Sequence, residues 1–134
     1  MPAAPSSLHA AARAAPSSPR SLPVLARANR VTSADDYRVT VRRGRRFVAA
    51  NTVAYVRSNP ESSEVRFGFI VAKNVGSAVR RNAVRRRLKA ASFEMVDSAR
   101  VGTDVVFRAL PGSFEASWDS LRAEVVQAVT KGAM

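Results

Sequence analysis

Residues 65–89 read VRFGFIVAKNVGSAVRRNAVRRRLK. The first nine, rich in β-branched and aromatic types, have the composition of a strand. Gly76 interrupts the run, and Ser77 offers its hydroxyl as the cap of a helix. With Val84 at zero on a wheel of 100° per residue, Leu88, Ala91 and Met95 fall within about 40° of it, which predicts a narrow apolar seam. Asn82, Arg85, Arg86 and Lys89 fall at roughly 100° to 200° and project away from that seam. Six positive charges lie between Arg80 and Lys89, with no acid before Glu94. A basic helix face is often only a solvated surface. Here the missing acids leave mutual repulsion that an anion along the helix relieves, which favours nucleic-acid backbone as the partner.

Working outward, TSADDYRVTVRR at 32–43 starts with the capping types Thr32 and Ser33 and carries Asp35 and Asp36 where the helix dipole favours acids. It predicts a short helix ending at Gly44, with Tyr37 and Val41 four apart on one face. FVAANTVAYVR at 47–57 reads as a strand whose alternation puts Val53 and Tyr55 on one side. The turn-like link SNPESSE predicts that this strand pairs with 65–73 as an antiparallel hairpin. The basic helix runs to about Ala99 and Gly102 marks the turn after it. DVVFRAL at 104–110 is a further strand, stopped by Pro111 and Gly112. After Ser117, the spacing of Trp118, Leu121, Val125 and Ala128 predicts a terminal amphipathic helix with Trp118 in the core. The order is helix-strand-strand-strand-helix-strand-helix, an α+β domain with helices packed on a small, mostly antiparallel sheet. The general rule for strand-helix-strand crossovers gives a right-handed connection.

The chain has 134 residues, room for one domain with a real core, and a formal charge of +12. Residues 1–89 hold eighteen Lys and Arg against four Asp and Glu, and the remainder holds four against six. The first two-thirds is therefore the binding part. Nineteen of the cations are arginine, whose planar fork suits phosphate and stacks on bases. With no cysteine there are no disulfides, thiolate metal sites or cysteine nucleophiles. The one histidine, His9, lies in a segment of low structural propensity, so imidazole catalysis is not expected. No stretch is long and apolar enough to span a membrane, and a cytoplasmic location is expected. Residues 1–23, rich in Ala, Ser and Pro, read as a disordered basic tail ahead of a domain at 24–134. Alternatively the native start lies near Val24, which N-terminal sequencing of the natural protein checks.

An aromatic and an aliphatic residue four apart, then R-R-G, a strand pair and a long basic motif together resemble the protein subunit of bacterial ribonuclease P. The residues concerned are Tyr37, Val41 and Gly44, then Ala72, Lys73, Gly76, Ala78 and Val79, then Arg81, Asn82, Arg85, Arg86 and Lys89. The resemblance extends from about Arg27 to Val129. It implies that this chain is not the catalyst. A large RNA, with Mg2+ held mainly by that RNA and the substrate, would cut precursor tRNA at the 5′ end of the mature sequence. The protein would bind the catalytic RNA and hold the single-stranded leader, with no small-molecule substrate, no catalytic residue and no metal site of its own. Carried over by position, Lys73, Arg81, Asn82, Arg85, Arg86 and Lys89 would contact RNA, and Tyr37, Val41, Val53 and Tyr55 would line the leader cleft. The resemblance also implies a left-handed crossover, shared with domains of a small-subunit ribosomal protein and of elongation factor G, in place of the general rule.

Three positions depart from the family pattern. Ala83 stands where a second arginine is usual, Asn74 where a lysine is, and Tyr37 where a phenylalanine is. The main alternative is a structural RNA-binding protein of the ribosomal type, which would sediment with ribosomal subunits rather than copurify with a catalytic RNA. A nuclease acting alone would need clustered carboxylates, whereas the acids here are scattered. A DNA-binding helix module would need a preceding helix and turn of the usual sort.

Overall fold

The computed structural model describes residues 25–134. The expectation of a disordered tail at 1–23 lies outside these residues. After a short 3-10 turn at Arg27–Asn29 come α1 (Ala34–Arg43), β1 (Arg45–Val48), β2 (Thr52–Ser58), β3 (Arg66–Ile70), α2 (Ala78–Met95), β4 (Thr103–Ala109) and α3 (Trp118–Gly132). A second 3-10 turn, Lys73–Val75, links β3 to α2. The caps expected at Ser33 and Ser77 are present, and Ser117 adds a third. Ser33 accepts from the amides of Asp35 and Asp36, Ser77 from that of Arg80, and Ser117 from that of Ser120. Each satisfies an amide that the first helical turn leaves unpaired.

The sheet order is β1-β2-β4-β3. β1 and β2 form a tight hairpin through Ala49, Ala50 and Asn51, dividing what the sequence suggested was one strand at 47–57. β2 runs antiparallel to β4, and β3 parallel to it. The expected hairpin between the second strand and 65–73 is therefore absent, because β4 lies between them. Burial explains the insertion. Every residue from Thr103 to Phe107 is buried, on both faces of the sheet, and such a strand belongs in the interior. The link at 59–65 instead spans the start of β4, where the Asn59 amide donates to the Gly102 carbonyl and the Gly102 amide to that of Glu64.

One sheet face forms the main core. Ala54, Val56, Phe67, Phe69, Val105, Phe107 and Ala109 pack with the Val84, Leu88, Ala91 and Met95 seam of α2 and with Leu121, Val125, Ala128 and Val129 of α3. The Phe69 and Phe107 rings stack with centroids 6.2 Å apart. Trp118, expected in this core, is 37% exposed at the first residue of α3. That position lies at the mouth of the helix, and Leu121 one turn later is the first residue to enter the core.

The opposite face carries α1. Asp104 of β4 has no exposed side-chain surface, and there it accepts from Arg57 Nη2 and Arg66 Nη2, both at 2.8 Å, and from Asn59 Nδ2 at 3.1 Å. Arg66 Nη2 also lies 3.2 Å from Asp36 of α1, and Arg57 Nε donates to Thr40 at 3.3 Å. Burial by itself pushes the Asp104 carboxyl up. The hydrogen bond and charge of Arg66, then the bonds from Asn59 and Arg57, outweigh it and hold the group below the usual carboxylate range. A depressed folded pKa means that this stabilisation is present above the unfolded value, near ~3.9, and is lost as pH falls through the folded one. Asp104→Asn is expected to cost about 2 to 4 kcal/mol in urea unfolding at neutral pH. The gap between variant and parent should narrow as the pH drops below about 4.

Candidate nucleic-acid interface

Helix α2 presents its polar residues in three rows. Arg81, Arg85 and Lys89, spaced by four, are half-buried along one flank, while Asn82 and Arg86 are exposed at the crest. Arg85 Nη1 donates to Asn82 Oδ1 at 3.0 Å, which fixes both side chains. On the other flank the guanidinium carbons of Arg80 and Arg87 lie 5.1 and 5.2 Å from the Phe114 ring centroid, and Arg87 Nη1 donates to the Phe114 carbonyl at 3.0 Å. Ala83 is buried near this second flank. Arg80 and Arg87 thus sit across the helix from the Arg81, Arg85 and Lys89 row. Lys73 is exposed in the turn that precedes the helix, as is Asn74.

Among the described residues the ion pairs engage Arg38, Arg57, Arg66, Arg80 and Arg122, away from that first flank. Burial, then the charges of Arg30 and Arg85, holds the Lys89 ammonium below its ordinary pKa. This helix is a rigid cationic ridge with an apolar underside, able to pair with phosphates.

The other expected site residues gather on the opposite sheet face. Strand register makes Val53, Arg108 and Ile70 one row across β2, β4 and β3, and Tyr55, Val106 and Gly68 the next. Tyr37 lies over Gly68, so close that a Cβ there would come within 2.6 Å of its Cε1. Its hydroxyl accepts from the Phe69 amide at 3.1 Å, on the edge of β3 that β4 leaves free. Tyr37, Val41 and Ile70 line an open groove of about 660 Å3, flanked by Arg38 and Arg42. Val53 and Tyr55 occupy β2 on the same sheet face but are only 6% exposed. Arg108 covers Tyr55, stacking 5.4 Å from its ring centroid and donating to its hydroxyl at 2.6 Å.

An apolar and aromatic surface edged by arginines can take single-stranded RNA, with bases stacked and phosphates paired. Arg108, Ile70 and Arg30, which lies near Lys89, were not expected from the sequence. Alternation along DVVFRAL was the available signal for Arg108. Gly68→Ala should push the Tyr37 ring off the sheet and break its bond to the strand edge. Faster hydrogen exchange at the Phe69 amide and a stability loss of about 1 to 3 kcal/mol are the expected outcomes, read by NMR and urea unfolding.

The family model described as Ribonuclease P matches residues 25–132. A ribonuclease P protein component from Clavibacter michiganensis is 50% identical over 108 residues, covering 81% of this chain and 96% of the relative. One from Pseudarthrobacter chlorophenolicus is 43% identical over 101 residues, covering 75% and 74%. Among solved structures, the Staphylococcus aureus RNase P protein superposes with a TM-score of 0.66 at 22% identity, over 77% of this chain and 93% of that one. The Thermotoga maritima RNase P protein gives 0.67 at 19% identity, over 76% and 96%. At such identities the structures show a common fold, while the family match and the relatives carry the assignment: this chain belongs to the ribonuclease P protein family.

Proposed function

We infer that this chain is the RNA-binding subunit of ribonuclease P, acting with a catalytic RNA to remove the 5′ leader of precursor tRNA by endonucleolytic cleavage. The observation that carries the reading is the cationic ridge of α2 set across the sheet from an arginine-edged apolar groove. One surface suits the phosphates of a folded RNA, the other an unpaired strand. We assign Lys73, Arg81, Asn82, Arg85, Arg86 and Lys89 to contacts with the catalytic RNA or with RNA near the cleavage site, and Tyr37, Val41, Val53 and Tyr55 to the leader. The proposed place of action is the cytoplasm; among the described residues no helix is long and apolar enough to cross a membrane.

The side chains fit a binding role better than a hydrolytic one. Asp36 and Asp104 are committed to arginines. Glu124 accepts from the Asn51 amide and the Thr52 hydroxyl at the β1–β2 turn, and Glu94 from Arg122. Among the described residues no three His, Asp or Glu side chains group as a cation site. We place Mg2+ mainly on the RNA and substrate. The chain's part is to neutralise phosphate crowding and to add affinity for leader-bearing substrate.

Reconstitution tests this division. Protein, candidate catalytic RNA, Mg2+ and precursor tRNA together should give one cut at the mature 5′ end, and omission of the RNA should abolish it. Cleavage by the protein alone would overturn the proposal. Arg86→Ala is expected to weaken binding to the catalytic RNA by about 1 to 3 kcal/mol in filter binding, without altering the melting temperature. Affinity should also fall steeply and linearly on a log-log plot against salt, because RNA releases its counterions on binding.

A further inference from the structure

Where the outer edge of β3 meets α2, a cavity of about 210 Å3 is lined by Arg30, Thr32, Tyr37, Phe69, Arg85 and Lys89. A backbone bridge to Phe67 fixes the position of Arg30. Arg85 and Lys89, one helical turn apart, reach the cavity from α2. The Arg30 Nε is withdrawn from solvent and has no hydrogen-bond partner among the described residues. A buried N–H in that state costs stability until an acceptor arrives. The hydroxyl of Tyr37, already accepting from the Phe69 amide, keeps its own proton for donation, and Thr32 supplies another hydroxyl. Three cations and two hydroxyl-bearing residues therefore line one small space, and burial, with the charges of Arg30 and Arg85 added to it, holds the Lys89 ammonium below its ordinary pKa.

We propose that this cavity is a phosphate site, in which Arg30, Arg85 and Lys89 together hold one backbone phosphate of the single-stranded leader. The commitment to the leader comes from Tyr37, which the cavity shares with the apolar groove. The phosphate would mark the point where the strand leaves the groove and passes toward the basic helix. This assignment rests on the functional reading above and adds a residue, Arg30, that the helix motif does not contain.

The first test uses the full chain, labelled with 15N, and inorganic phosphate. Titration is expected to shift the Arg30 Nε resonance saturably. Arg30→Met should weaken phosphate binding by about tenfold, the effect of losing one charge-assisted bond, while the exposed neighbour variant Arg27→Met leaves it unchanged. Shifts spread evenly over exposed arginines would overturn the site, as would unchanged affinity in a natively folded Arg30→Met chain. If Arg30→Met does not fold, Lys89→Met, which leaves the bridge to Phe67 in place, gives the same readout.

The second test uses the reconstituted holoenzyme. Arg30→Met should bind leader-bearing precursor about tenfold less tightly, with mature tRNA and the catalytic RNA bound as by the parent. A loss that appears in catalytic-RNA binding instead would overturn the assignment to the leader. If the parent chain binds neither RNA, the functional reading fails, and the inorganic titration still judges the cavity by itself.

Discussion

The buried carboxylate of Asp104 organises the face of the sheet on which α1 rests. It draws Arg57 from β2 and Arg66 from β3, and both arginines extend to Asp36 of α1. One anion in the central strand thus joins three strands and a helix. Withdrawing that charge from water is costly, and the two guanidinium groups with Asn59 offset the cost. The arrangement also consumes scarce acids in a chain of formal charge +12. With Asp36 and Asp104 engaged here, and Glu124 and Glu94 at other structural bonds, the ridge of α2 keeps its positive charge for a partner.

Both proposed binding surfaces are preorganised by packing. The α2 seam is anchored in the core by Val84, Leu88 and Ala91, all without exposed surface, so the row of cations above it is held on a fixed rod. Arg80 and Arg87 are held on Phe114, and Arg85 on Asn82. Side chains already restrained in the free protein lose less entropy when RNA docks, which favours affinity. Tyr55 beneath Arg108 and Tyr37 above Gly68 obey the same logic on the other face.

Much of this could be read locally. The three serine caps, the α2 seam and the strand character of β2, β3 and β4 depend on neighbours within a turn or two, and the sequence displays those neighbours. Strand order does not. The hairpin expected between β2 and β3 followed from their closeness in the chain, whereas β4 takes the central place because both its faces must be covered. Trp118 has core spacing but stands at a helix mouth, a fact that periodicity does not encode. For the site, spacing joined Tyr37 to Val41 and alternation joined Val53 to Tyr55. Only the register through Arg108 brings the two pairs to one surface. Arg30 and Arg108, isolated in a loop and in an apolar strand, left no repeating pattern to detect.

The Tyr37 hydroxyl does more than steady a ring. β3 is a border strand, and the Phe69 amide on its rim would otherwise be free to recruit an extended segment from another molecule. With that amide occupied, and the Phe67 carbonyl taken by the amide of Val31, two of the rim's backbone groups are already used. Edge-to-edge polymerisation is thereby discouraged while the protein awaits its RNA.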